Sequence, residues 1–541
     1  MEVTIVSKER ITPSNSTPQS HRYHKLSLLD KLAPHGYTPV LLFYSTTFEL
    51  EERYNKLRAS LAETLNHVYQ LAGRVGANHS VMCNDQGVDL ILAKVGEDMS
   101  KVTKHPRIET LRQLLPVKPE TMLDEDGVIV AVQINTFACG GTAVGICINH
   151  VIADGWSLAV FLNTWAGINR HDEKATKGFV LDSTSIFPEC RGNGRDVSML
   201  PLNLEAQAPK IESRRFVFNE DKVMGIKEKM GAIKGGNNSN ILPSRIEAVS
   251  AFVWAALIKA HQETNINVKT HVMTSAINMR KRLKPPLPPQ TIGNVFHVTK
   301  ACFELEVSHS HSQGEIDYKL LTERVQRSIN TAENEYAKIM GELDEYFRRL
   351  GDEEKREDVG MLKVSSWCRF PFYEVDFGWG KPIWVANAIK AMNVAIFMDT
   401  GDEKGIEAWV GLSEECMLKL CIPQVNVFLL PTPYTSDVVS LFFLFMFLIY
   451  YPPAFLPLIC SFNLASFLIY SSLNAKTFIS CVLPASRKQT TAIAISLMSI
   501  CCNEHSSANI EQTAATVILL SQSFSNLPTL LVHQPHVHLT Q

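Results

Sequence analysis

The sequence lacks the features that mark several protein classes. It has no cluster of lysines and arginines interleaved with aromatic residues, and its formal net charge is only −3 at pH 7, so we expect no nucleic-acid partner. Its 12 cysteines are scattered without Cys-x-x-Cys pairs, so we expect neither a metal site nor a disulfide framework. The N-terminus is charged and has no continuous apolar core, which excludes a signal peptide. These absences predict a cytoplasmic protein.

Charge is also missing from one long segment near the C-terminus. No charged residue occurs from Val438 to Ala475, and a membrane-spanning helix needs about 20 apolar residues. Prolines interrupt this apolar segment, and all seven tryptophans precede residue 410. Two explanations stay open, a genuine membrane anchor and sequence of non-coding origin, and the prolines favour the second. We therefore predict that residues 426–541 are an atypical apolar tail outside the fold.

The rest of the sequence has the alternation of an α/β protein. Short apolar strands alternate with helical stretches in both halves, and a long charged helix is predicted over about 317–350. Between the halves the sequence has glycines and prolines but no periodicity, which is typical of a linker. Because 541 residues also exceed one compact core, we predict an N-terminal domain over 1–190, a crossover linker over 191–213 and a C-terminal domain over 214–425.

The most informative motif is His150-Val-Ile-Ala-Asp154-Gly155, which follows a strand-like apolar run and precedes a helical one. A histidine at the end of such a strand can serve as a general base in a cleft. Because side chains alternate along a strand, Cys147 lies on the opposite face from His150 and is a poor covalent partner for it. Asp154 immediately precedes the helix, so we favour a role as helix cap over a catalytic dyad with His150, although both stay open.

A second motif, Asp376-Phe-Gly378-Trp379-Gly380, lies more than two hundred residues later. Its two glycines permit a tight turn that a side chain would block. The Asp-Phe-Gly triplet also occurs at the magnesium site of protein kinases, but neither a His-Arg-Asp motif nor a Gly-x-Gly-x-x-Gly loop accompanies it. We therefore interpret this motif as architectural.

Together the two motifs resemble those of the BAHD acyltransferases, plant enzymes that transfer an acyl group from coenzyme A to an alcohol or amine. Other segments through about the first 420 residues resemble the family's blocks in the family's order: Tyr69-Gln-Leu-Ala-Gly-Arg74, with Gln70 where proline is usual, Pro243-Ser244-Arg245-Ile-Glu, Asn278-Met-Arg280, Pro285-Pro-Leu-Pro-Pro, Gly293-Asn294 and Ser365-Ser-Trp367-Cys-Arg-Phe. The opening Lys25-Leu-Ser-Leu-Leu-Asp30-Lys-Leu-Ala-Pro34 is most similar to the vinorine synthase-like group, whose members mostly acetylate hydroxyl groups of alkaloids and other specialised metabolites.

This resemblance implies two similarly folded, chloramphenicol-acetyltransferase-like domains that face a central solvent channel, with a segment at about 375–395 completing the first domain. It implies transfer of an acetyl group from acetyl-CoA, or of another acyl group from its acyl-CoA, to an alkaloid or terpenoid-like alcohol. Transfer would be direct, in a ternary complex, with His150 as general base and no permanently bound cofactor. The protein would act as a monomer, and Asp154 would pair with Arg280.

The resemblance also places Ser365 and Trp367 beside the reacting carbonyl, where a hydroxyl or indole N–H could stabilise the oxyanion. Ser244 and Arg245 are predicted to contact coenzyme A, because a cation suits its phosphates. Two alternatives stay open here: Trp367 as a core aromatic residue and Arg245 as a solvated surface charge.

Other functions also stay open. A condensation-type or chloramphenicol-acetyltransferase-like enzyme shares the His-x-x-x-Asp motif, but the Asp376 motif argues against it. An N-acyltransferase, an impaired relative that acts as a binding or regulatory protein, and a membrane protein with this domain as headpiece are the remaining alternatives. The sequence does not identify the acceptor.

Overall fold

The computed structural model describes residues 1–420 except 46–49, 77–79, 124–125, 183, 185–209, 232, 235–239, 265–267, 305–315 and 340. The predicted tail over 426–541, with its apolar segment, and most of the predicted linker therefore lie outside the described residues. The described residues belong to one compact unit.

The secondary structure alternates along the chain. The strands are β1 Val3–Ile11, β2 Tyr23–Lys25, β3 Tyr37–Tyr44, β4 Arg74–Gly76, β5 Ser80–Met82, β6 Val88–Val95, β7 Val130–Phe137, β8 Thr142–Asn149, β9 Ile211–Phe218, β10 Ile233–Lys234, β11 Asn240–Ile241, β12 Thr270–Asn278, β13 Phe296–Glu304, β14 Val359–Ser366, β15 Trp384–Ala386, β16 Val394–Asp399 and β17 Ile406–Ser413. The helices are α1 Leu28–Leu32, α2 Leu50–His67, α3 Met99–Lys104, α4 Ile108–Arg112, α5 Gly155–Asn169, α6 Glu220–Met230, α7 Arg245–Glu263, α8 Tyr318–Ile339, α9 Leu343–Glu354 and α10 Glu414–Leu420.

A six-stranded mixed sheet, in the order β1-β6-β7-β8-β3-β15, organises the first half. Strand β7 runs parallel to β6, and the other neighbours are antiparallel. Every residue of β3 and β8 is buried, which explains their nearly continuous apolar sequences and indicates cover on both faces. Helix α5 is buried on almost all sides and contributes Phe161 and Trp165 to this core.

A second six-stranded mixed sheet, in the order β13-β12-β14-β16-β17-β9, organises the other half. Strand β14 is parallel to both β12 and β16. The core of this second half includes Trp254 of the buried helix α7 and Phe397 of β16. Strand β9 begins at Ile211, so the second sheet starts inside the range predicted for the linker.

The segment predicted as one long helix over about 317–350 forms two helices, α8 and α9, so the prediction of a continuous helix was wrong. Gly341 lies between them, and glycine is unfavourable inside a helix. The break lets Leu343, Phe347 and Leu350 of α9 join a separate apolar cluster.

That cluster connects the two halves of the molecule. Leu28, Leu29 and Leu32 of α1, from the first half, share it with the buried residues of α9. The chain also passes from β14 in the second sheet to β15 at the edge of the first sheet, and returns to the second at β16. Strand β15 lies within the range 375–395 that is expected to complete the first domain. In the part of the chain that the structure describes, we find no helix long and apolar enough to cross a membrane.

Candidate active site

His150 lies directly after β8, where the two halves meet. Its backbone N–H donates a hydrogen bond to the Gly36 carbonyl at 2.8 Å, which extends the pairing of β8 with β3. Its own carbonyl accepts a hydrogen bond from Asn294 Nδ2 at 2.7 Å. The imidazole meets the ring of Phe296, at the start of β13, edge to face with 6.2 Å between centroids. One strand end from the first half therefore holds this side chain against the second half.

The electrostatic environment keeps the His150 imidazole neutral. Burial lowers its pKa below the ordinary 6.5, while its own backbone, the Asp154 carboxylate, the Asn294 side chain and the Asp30 carboxylate oppose this shift without reversing it. A neutral imidazole retains one nitrogen lone pair at neutral pH, so it can accept a proton. The nearby carboxylates would stabilise the cation that forms when it does.

Asp154 caps the first turn of α5. Its Oδ1 accepts hydrogen bonds from the backbone N–H and the hydroxyl of Ser157, both at 2.9 Å. Its Oδ2 accepts from Arg280 Nη1 at 2.7 Å and from the backbone N–H of Val295 at 3.1 Å. Burial alone would raise the pKa of this carboxyl, but the Arg280 charge and the hydrogen bonds outweigh it and the pKa is lowered. Asp154 is thus an ionised residue whose oxygens are occupied by structural donors.

Arg280 completes this contact between the halves. It is only 1% exposed. Besides Asp154, its guanidinium donates to the Thr291 carbonyl at 3.1 Å, to the Gly293 carbonyl at 2.9 Å and to the Ser157 hydroxyl at 3.0 Å. A buried charge with this set of partners fixes the β12–β13 connection against the start of α5, and so fixes the position of the loop that carries His150.

The Asp376 motif folds into a tight turn on the first half. Asp376 Oδ1 accepts backbone hydrogen bonds from Gly378 at 2.7 Å and Gly380 at 2.9 Å. Both glycines have positive φ angles, of 98° and 100°, which favour glycine. Trp379 stacks on the ring of Phe377 and meets that of Tyr44 edge to face. The motif anchors the segment that leads from β14 to β15.

Ser365 lies near the end of β14, and Trp367 directly follows that strand. Trp367 follows the second sheet but packs in the core of the first half. A Cβ added to Gly155 would lie 3.3 Å from Trp367 Nε1, so the indole N–H lies against the first turn of α5. Ser365 is half-buried. Their roles as oxyanion contacts stay predictions. The buried position of Trp367 is equally consistent with the alternative role of a core aromatic residue.

Ser244 and Arg245 begin helix α7. The Ser244 side chain caps the helix in a reciprocal pair with Glu247. Arg245 donates to Asp399 Oδ1 at 2.6 Å and to the carbonyl oxygens of Glu403 and Gly405. These contacts explain the conformation of both residues without a ligand, and their predicted contact with coenzyme A stays a prediction.

Sequence reasoning missed two residues next to His150, Asn294 and Asp30. Asn294 contacts the His150 carbonyl, and its backbone N–H and side-chain Nδ2 both donate to Asp30 Oδ1, at 3.0 and 2.9 Å. Both residues occur in segments that resemble family blocks, but nothing local in the sequence assigns them a role. Within the described residues we find no group of histidine, cysteine and carboxylate side chains that could hold a metal ion.

Comparison with known proteins identifies the family of this chain. The sequence profile of the transferase family matches residues 1–421. The chain is 35% identical to a limonoid 1-O-acetyltransferase of Citrus sinensis and 32% identical to stemmadenine O-acetyltransferase of Catharanthus roseus; each alignment covers 77% of this chain and 96% of the relative. The crystal structure of vinorine synthase superposes with a TM-score of 0.66 at 29% identity, covering 80% of this chain and 99% of that one.

The chain belongs to the transferase family of BAHD acyltransferases. The resemblance stated from its motifs, the two-domain α/β fold class and the prediction of an acyltransferase are confirmed. The family match ends at residue 421, and the predicted tail lies beyond it.

Proposed function

We propose that this protein transfers an acetyl group from acetyl-CoA to a hydroxyl group of a specialised metabolite, an alkaloid or terpenoid-like alcohol, with His150 as general base. The observation that carries the proposal is the neutral, half-buried imidazole of His150 at the junction of the halves. The choice of an acetyl donor and of an alkaloid or terpenoid-like alcohol rests on the relatives, whose names specify O-acetylation of limonoids and of stemmadenine.

In the proposed reaction, His150 takes the proton of the acceptor hydroxyl as its oxygen attacks the thioester carbonyl. The tetrahedral oxyanion accepts a hydrogen bond from Trp367 or Ser365. Its collapse breaks the carbon–sulfur bond, and the coenzyme A thiolate leaves with the proton that His150 carried. Asp154 and Asp30 stabilise the imidazolium while His150 carries the proton. Ser244 and Arg245 contact coenzyme A.

Direct transfer is supported by the state of the neighbouring thiols. Cys147 is buried and donates a weak hydrogen bond to the Val117 carbonyl, and burial raises the pKa of its thiol well above the usual range. Burial likewise raises the pKa of Cys368, next to Trp367, to about 12. Because the thiolate is the reactive form, neither residue is suited to carry the acyl group.

The test is a transfer assay with isotope-labelled acetyl-CoA and a panel of limonoid and indole-alkaloid alcohols, read by mass spectrometry of the product. We expect acetylated alcohol with wild type and with His21→Ala, which removes an exposed histidine, and roughly 10²–10⁴-fold slower product formation with His150→Ala. Acetylation of amines alone would point instead to an N-acyltransferase. Binding of the alcohols without turnover would indicate an impaired relative.

The cytoplasmic location, the monomeric state and the domain boundaries expected from the sequence stay predictions. Subcellular fractionation, light scattering and limited proteolysis would test them in turn.

A further inference from the structure

We propose that Asp30 is a positioning residue for His150 and that it acts through the side chain of Asn294. This positioning role explains which nitrogen of His150 acts as the base, so it rests on the function proposed above.

The two oxygens of the Asp30 carboxylate have separate partners. The residue lies in α1 and is 1% exposed. Its Oδ2 accepts hydrogen bonds from the backbone N–H of Ser27 at 2.8 Å and from the Ser27 hydroxyl at 2.7 Å, which caps the helix. Its Oδ1 accepts from the backbone N–H and from Nδ2 of Asn294, at 3.0 and 2.9 Å. One oxygen therefore fastens the carboxylate to its own helix, and the other holds Asn294 from the second half.

Asp30 determines which way the Asn294 amide points. An ionised carboxylate only accepts hydrogen bonds, so it selects the amide nitrogen and not the amide oxygen. The same nitrogen donates to the His150 carbonyl at 2.7 Å, which uses its second hydrogen. The amide oxygen of Asn294 is then the atom that remains for the imidazole.

Two buried atoms at this point are complementary. Among the described residues, neither Asn294 Oδ1 nor His150 Nδ1 has a well-aligned hydrogen-bond partner. A small rotation of the imidazole would let Nδ1–H donate to Oδ1, and the Asn294 side chain already raises the pKa of His150, as such a bond requires. With the proton held on Nδ1, the lone pair lies on Nε2, which becomes the base. A flipped Asn294 amide would present a donor to Nδ1 and favour the wrong tautomer.

The decisive variant is Asp30→Asn, because its amide can no longer enforce the orientation of Asn294. We expect kcat to fall by roughly 10- to 100-fold through lost orientation of the base, with the KM values of both substrates unchanged. The carboxylates of Asp30 and Asp154 both raise the pKa of His150, and Arg280 is already paired with Asp154. Loss of the Asp30 charge should therefore move the acid limb of the kcat/KM profile to lower pH.

Ser27→Ala is the matched control, since it removes a hydrogen bond to Oδ2 of Asp30 and leaves Oδ1 in contact with Asn294. It should lower the melting temperature and keep kcat within about two-fold, because the orientation of the base is preserved. Equal losses of kcat in the two variants, with no change in the pH profile, would reduce Asp30 to a helix cap and overturn the proposal.

A double-mutant cycle tests the route through Asn294. If Asp30 acts through that amide, Asp30→Asn should lower kcat no further in an Asn294→Ala background. Additive losses would show that Asp30 acts by another route.

A measurement without turnover separates this proposal from the function itself. NMR of protein with isotope-labelled histidine, with the His150 signals assigned by their loss in His150→Ala, reports which ring nitrogen is protonated. We expect Nδ1–H in wild type, and a lower His150 pKa with a mixture of tautomers in Asp30→Asn. An identical tautomer and titration in both proteins would refute the positioning role, whether or not the protein transfers acetyl groups.

Discussion

Replacement of Asp154 by asparagine should damage the protein mainly through its structure. Asp154 is 7% exposed, and its carboxylate pairs with Arg280, which is 1% exposed. Asparagine can still accept from Ser157 through its single oxygen, but its amide nitrogen would face the Arg280 and Val295 donors. Loss of one partner of a buried ion pair typically costs about 3–5 kcal/mol, because the other charge stays buried without compensation. We expect a loss of this size in the free energy of unfolding.

Chemical denaturation of wild type and Asp154→Asn measures this loss, and a control is available in Asp352→Asn. Asp352 pairs with Arg348 and Lys355, and these three side chains are 54%, 56% and 75% exposed, so its removal leaves no buried cation. The control should lose about 1 kcal/mol or less. In the double variant Asp154→Asn/Arg280→Met the loss should be smaller than the sum of the single losses, because no charge is then buried alone.

The difference in stability between wild type and Asp154→Asn should depend on pH. The folded pKa of Asp154 lies below its ordinary 3.8, so the ion pair stabilises the fold above that value, and its contribution is lost as the pH falls through the folded pKa. The difference in stability between wild type and Asp154→Asn should therefore narrow below about pH 4. At neutral pH and a temperature where both are folded, kcat should fall by less than in His150→Ala. An unchanged free energy of unfolding with a collapsed kcat would place Asp154 among the catalytic residues and refute this reasoning.

Three further predictions follow from the site and the chain. His150→Ala should lower kcat by roughly 10²–10⁴-fold without loss of the fold, and a near wild-type kcat in this variant would exclude His150 as the base. In wild type, kcat/KM should decline only below pH 6.5, because burial lowers the pKa of His150. Initial-rate kinetics should be sequential, since Cys147 and Cys368 are buried thiols; parallel double-reciprocal lines, or an acylated protein by mass spectrometry, would contradict direct transfer. The apolar tail is predicted to lie outside the fold, and exposed apolar surface promotes aggregation, so truncation after residue 425 should raise soluble yield at unchanged specific activity. Membrane association of the native protein that truncation abolishes would show an anchor.

Local sequence patterns predicted the elements around His150 well, because each depends on neighbours in the chain. The apolar run before His150 is β8, and the helical spacing after Gly155 is α5, with Asp154 at its cap. Such features follow from strand alternation, helical periodicity and capping, which all act over a few residues.

Contacts between the halves have no such signature. Asn294 lies 144 positions from His150 and 264 from Asp30, and only the fold brings the three together. The three residues of β15 carry no pattern that assigns them to the first sheet. For these, the resemblance to a family pointed to the right segments, while the hydrogen bonds that give each residue a role had to come from the structure.

Gln70 is a position where this chain departs from its family, and the structure gives the departure a measurable cost. It lies in the 3-10 turn Tyr69–Ala72, is 1% exposed, and neither amide atom of its side chain has a partner among the described residues. An unsatisfied buried polar group costs about 1–3 kcal/mol, so Gln70→Leu should raise the free energy of unfolding by an amount in this range. Gln133→Leu is the control, because Gln133 is also buried but donates to Asn135 Oδ1 at 2.7 Å, and its loss should destabilise the fold. Equal destabilisation by both substitutions would mean that a buried water satisfies the Gln70 amide, and the predicted gain would be wrong.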